Sequence, residues 1–81
     1  MKRPGYREAI EWIADNDDCY WLGDYDAHGP MLSVCAAMVR DLYGVSDARL
    51  LRDILRALER AGHPVVSSMS AATRAAILKG A

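Results

Sequence analysis

The sequence predicts a mainly α-helical fold, a compact domain of three to four helices. Three observations carry this expectation. Apolar residues recur at i, i+3, i+4 and i+7 along several stretches, and serine, glycine and proline stand where helices begin and end. The third is length, since 81 residues leave room for one core, so residues 1–81 are read as a single domain. Hydrophobic residues make up 52% of the chain and charged ones 26%, the composition of a chain that folds. A domain this short buries roughly 60% of its extended surface, so a modestly stable monomer is expected.

The first helix is expected from about Tyr6 to Asp15, because Tyr6, Ala9, Ile10, Ile13 and Ala14 fall on one side. Asn16, Asp17 and Asp18 end it, as their short polar side chains compete for backbone bonds. From Cys19 to Pro30 the pattern is least regular, and Cys19 to Leu22 reads equally as a short strand or as a loop folded over the core. Pro30 stands where proline begins helices, and Leu32, Cys35, Ala36, Val39, Leu42 and Tyr43 then repeat at helical spacing up to Gly44.

The third helix has the plainest signature. Ser46 offers an N-cap hydroxyl, Asp47 suits the positive end of the dipole, and Leu50, Leu51, Ile54, Leu55 and Leu58 form a broad stripe. Ala61-Gly62-His63-Pro64 closes this helix, with His63 expected as a cation at its negative end. Val65 to Ser68 reads as a short strand. Ser70 caps a last segment, Ala71 to Lys79, whose alanines favour helix.

Several classes of function are disfavoured. The longest apolar runs are far shorter than the ~18 residues of a membrane helix, and no apolar leader follows Lys2-Arg3, so a cytoplasmic protein is expected. Cys19 and Cys35 match no zinc spacing and are expected as buried free thiols. His28 lies near Cys19, Asp24 and Asp26, but a histidine beside Gly29-Pro30 reads better as a turn residue or N-cap. With no phosphate loop, paired-glycine fingerprint or nucleophile elbow, neither an enzyme nor a cofactor or metal site is expected.

Charge is divided unevenly. Residues 1–30 carry seven acids and three bases, a balance of −4, while residues 31–81 carry four acids and seven bases, a balance of +3. In the basic half, a helix, the turn Gly44-Val45-Ser46 and a second amphipathic helix make up the grammar of a helix-turn-helix. Val39, Tyr43, Val45 and Leu50 fall where the small centre between two crossed helices needs apolar side chains. Arg49, Arg52, Arg56 and Arg60 recur at intervals of three, four and four and share a face. Guanidinium groups in a line suit phosphates and guanine edges, although Asp53 and Glu59 between them also fit a solvated face with internal ion pairs.

Leu42-Tyr43-Gly44-Val45-Ser46, followed by Leu50-Leu51-Arg52-Asp53-Ile54, Leu58 and Gly62, resembles the helix-turn-helix of winged-helix repressors of the DeoR type. Gly62 to Ser68 similarly resembles the start of their wing, and the resemblance spans Val39 to Ser68, about half the chain. Arg40 stands where that family has a small residue, and the helical tail departs from a wing's returning strand. The expected fold is thus a compact helix-turn-helix domain, with or without a short β wing remnant. Its expected role is that of a small DNA-binding regulator encoded by a phage or mobile element and acting on double-stranded DNA as a homodimer. In that role Arg49, Arg52 and Arg56 face the groove, Arg40 and Arg60 approach phosphates, and Ser46 caps the helix that presents them.

Tyr6 to Ala14, followed by Asn16-Asp17-Asp18, is more loosely similar to small phage-encoded proteins, including anti-CRISPR-like inhibitors of host defence complexes. That likeness implies an alternative partner, a host protein or nucleoprotein complex. Asp15, Asp17, Asp18, Asp24 and Asp26, with Tyr20 and Trp21, would then form an acidic aromatic contact surface that copies phosphates. Of Trp12 and Trp21, one is expected in the core and the other on a partner surface.

Overall fold

The long helix α3 (Asp47–Ala61) is the element on which the others pack, in a computed structural model that describes residues 4–24 and 32–79. Its buried residues, Leu50, Leu51, Ile54, Leu55, Ala57 and Leu58, occupy one broad side and supply the centre of the core. Ahead of it come α1 (Tyr6–Asn16), a 3-10 turn (Tyr20–Asp24) and α2 (Val34–Tyr43), and after it α4 (Pro64–Ser68) and α5 (Ala71–Lys79). The described residues are mainly helical and contain no strand. No helix among them is long and apolar enough to cross a membrane.

α1 lays Ala9, Ile10, Ile13 and Ala14 against α3, as its spacing predicts. α5 follows Ser70, whose hydroxyl accepts from the Thr73 amide at 3.1 Å, and it buries Thr73 and Ile77. Glycine ends α2 and α3 as expected: Gly44 and Gly62 take the left-handed conformation, with φ of 64° and 69°, that other residues adopt only at a cost.

Three local expectations are corrected. Val65 to Ser68 is a turn of helix, not a strand or the start of a wing. Pro64 opens α4 at a position with no amide to satisfy, and Val65 is drawn into the core, so packing overrides the β preference of two valines. His63 serves both helices: its amide closes α3 as expected, donating to the Leu58 carbonyl at 3.0 Å, while its ring turns to the start of α4. Its Nδ1 accepts from the Val65 amide at 3.1 Å and so caps α4. The second helix begins at Val34 with Ser33 as its cap, the hydroxyl accepting from the Ala36 amide at 3.2 Å, and Pro30 lies outside the described residues.

Of the two open readings for Cys19 to Leu22, the compact turn is the one observed, and it is not a strand. Cys19 enters it with a positive φ of 59° and is fully buried, its Sγ donating toward the Ile13 carbonyl at 3.7 Å. Burial, reinforced by the charges of Asp17 and Asp18, pushes this thiol up to about 12. Cys19 and Cys35 are both free, but only Cys19 is buried as expected; Cys35, on the sparsely covered α2, is half-buried.

Candidate functional site

Four arginines of α3 stand on the side opposite its buried arc. At ~100° of rotation per residue, Arg49, Arg52, Arg56 and Arg60 fall within roughly 80° of one another, centred on the direction away from the core. Arg49, Arg56 and Arg60 are exposed and Arg52 is half-buried. Ser46 caps α3 as expected, its hydroxyl accepting from the Arg49 amide at 3.1 Å. Leu50 is buried, while Val39 and Val45 pack against the core from its edge.

The arginines are not equivalent. Arg49 lies 3.6 Å from the Asp53 carboxylate and 5.0 Å over the ring of Tyr6. Tyr6 in turn donates its hydroxyl to Asp53 at 2.7 Å and meets Tyr43 edge to face, so Arg49 belongs to a knot joining α1, α2 and α3. Burial first, then the Asp53 hydrogen bond and charge, hold the Tyr6 hydroxyl well above its ordinary value. Arg40 is committed elsewhere as well. It pairs with Asp41 at 3.0 Å and reaches Asp47 at 3.1 Å, bridging α2 to the first turn of α3. Those partners take Arg40 out of the arginine face.

Arg52, Arg56 and Arg60 make no ion pair among the described residues, and neither does Arg7. Arg7 was absent from the sequence-based set, yet α1 places it beside Arg56 and Arg60 around a shallow hollow of about 300 Å³ that also includes Tyr6, Ile10 and Asp53. Its helical offset from Tyr6 and Ile10 was the available signal. Asp15 and Glu11 border Arg60 on the other side, across a second hollow.

Of the described acidic candidates, Asp15 borders the hollow beside Arg60, and Asp17 and Asp18 are bonded within the fold. Asp17 accepts from the Ser33 hydroxyl at 2.7 Å and from the Cys19 amide at 3.1 Å, fastening the start of α2 to the end of α1. Asp18 accepts from the Tyr20 amide at 3.3 Å. Tyr20 is exposed with its ring edge against His63, whereas Trp21 is half-buried against the core. Asp24 ends the 3-10 turn, and Asp26 and His28 lie outside the described residues. No group of three or more His, Cys, Asp or Glu among the described residues is placed to hold a metal ion.

Asp17 supports a prediction about acid stability. Burial pushes its carboxyl up, and the Ser33 and Cys19 hydrogen bonds outweigh that, leaving it below its ordinary value. A depressed carboxylate stabilises the fold fully above its unfolded value of ~3.9, and the contribution is lost as pH falls through the lower folded value. Asp17→Ala is expected to cost about 1–3 kcal/mol at neutral pH and to flatten the acid limb of the stability profile. Urea midpoints measured from pH 7 to pH 2 check it, and parallel profiles for both proteins would refute it.

Of the two tryptophans, Trp21 is the one against the core and Trp12 the exposed one, and the apolar residues around Trp12 were not foreseen. Trp12, Val34, Met38 and Leu42 leave a broad apolar surface over α1 and α2 exposed to solvent. The chain matches no protein-family model, no curated protein and no solved structure.

Proposed function

We propose that this chain is a small, non-enzymatic DNA-binding regulator that lays α3 on duplex DNA as the second helix of a helix-turn-helix. The observation that carries this reading is the row of Arg52, Arg56 and Arg60 opposite the core, joined by Arg7 and unopposed by ion-paired acids among the described residues. Guanidinium groups so placed attract phosphates and fork onto guanine edges. The left-handed Gly44 and the Ser46 cap give the rigid presentation that such a helix needs. A single short helix makes few contacts, so two copies are expected on paired half-sites.

A mobility-shift titration on duplex DNA at several salt concentrations tests this. With Arg7, Arg52, Arg56 and Arg60 each displacing a counterion, the logarithm of affinity should fall with that of salt at a slope of roughly −3 to −4 per copy. Absent binding at low salt, or binding indifferent to salt, overturns the proposal. The alternative, an inhibitor that presents an acidic aromatic loop to a host complex, has less in its favour. Asp17 and Trp21 are engaged in the fold, and Asp15 lies beside Arg60.

A further inference from the structure

We infer that the open apolar groove between α1 and α2 docks an amphipathic helix of a partner protein, one that carries lysine or arginine beside its apolar stripe. Two adjoining hollows form the groove. The larger, about 530 Å³, is lined by Trp12, Cys35, Met38, Val39, Asp41 and Leu42. The second, about 400 Å³, continues past Trp12, Val39 and Leu42 to Glu8 and Pro4.

The fold itself does not satisfy this surface. α2 is apolar at all but two of its ten positions, a pattern that normally means burial on every side, yet only Ala36 is buried. Trp12, 53% exposed, and Met38, 65% exposed, line the same hollow, and Val34, 77% exposed, stands one turn before Met38 on α2.

Charge selects the occupant. Among the described residues, the charged ones lining the two hollows are Glu8 and Asp41, and no cation lines either. Arg40 meets Asp41 but also reaches away to Asp47, and the Asp41 side chain remains 72% exposed. A second copy on this face would bring the same acids toward one another, whereas a helix with basic flanks meets them with opposite charge. Apolar anchors at i, i+4 and i+7 of such a helix match a groove walled by two helices. The inference is independent of DNA binding, because it uses the α2 side of α1 and leaves the α3 arginines uncovered.

The test uses the full chain and two fluorescein-tagged helical peptides of about sixteen residues. One has leucines at i, i+4, i+7 and i+11 flanked by lysines, and its twin has glutamate at every lysine position. The basic peptide should bind saturably by anisotropy and shift tryptophan emission to the blue as Trp12 is covered. Met38→Lys should weaken it at least tenfold without altering the thermal melt, since this side chain is mostly exposed. Equal binding of the acidic twin, no binding of the basic peptide, or undiminished binding by Met38→Lys overturns the inference. So does a sedimentation-velocity dimer that Met38→Lys dissolves, which would make a second copy the occupant.

Discussion

Replacing Arg52, Arg56 and Arg60 together by alanine is expected to weaken duplex binding roughly a thousandfold at low salt and to flatten the salt dependence by about three in slope. Each contact contributes ~1–3 kcal/mol where it is specific and less where it is purely electrostatic, so three together come to about 4 kcal/mol. Helix content should not change, because alanine favours helix and no ion pair is lost among the described residues. Arg40→Ala is the informative control. Its guanidinium is held by Asp41 and Asp47, so DNA affinity should change little while the link between α2 and α3 loosens. A loss for Arg40→Ala of about a third of that for the triple variant, one charge against three, would show that net charge, and not the α3 face, drives binding.

The second large effect lies in the core. Ile54→Ala is expected to destabilise the fold by about 3–4 kcal/mol, combining lost transfer energy with the cavity left behind. Ile54 is fully buried on α3, with Leu50, Leu51, Leu55 and Leu58 around it on the same helix, so no neighbour collapses readily into the gap. For a domain of this size such a loss lowers the melting temperature by about 12–25 °C, against a total stability of order 5 kcal/mol. Circular dichroism melts and urea midpoints measure it. A loss below about 1 kcal/mol would show that α3 is not the centre of the core.

The sequence disclosed those elements whose apolar residues fall on one side only. α1 and α3 could be placed nearly to the residue, since Ile10 and Ile13 in one, and Leu50 to Leu58 in the other, leave a single consistent inner face. The breaks at Gly44 and Gly62 were equally legible, because few residues other than glycine leave a helix that way. α4 was hidden because Val65-Val66 carries a strand preference, while the decisive facts, the His63 ring as cap and Val65 in the core, are tertiary. α2 failed differently. Its spacing put Leu32, Cys35, Ala36, Val39, Leu42 and Tyr43 on one side, yet only Ala36 is buried and Leu42 is exposed, because with apolar residues at eight of ten positions the pattern singles out an inner face only weakly.

The arginine row itself was visible in the spacing, but its division was not. Which guanidinium groups are already engaged depends on Tyr6, Asp41, Asp47 and Asp53, only some of them close in sequence. In the same way Asp17 looks like one acid among several, and becomes a fastening only when Ser33 is brought to it.

The slight anchoring of α2 has a dynamic consequence. Only Ala36 of its side chains is fully buried, and Val39 at the core's edge, the Tyr43 ring on Tyr6, the Tyr43 bond to the Pro4 carbonyl, the Asp17–Ser33 bond and the Arg40 bridge bury less apolar surface than the isoleucines that hold α1 to α3. An excursion that lifts α2 away therefore demands far less free energy than global unfolding, and its amide protons exchange with solvent through that smaller opening while those of α3 wait for the whole molecule to melt.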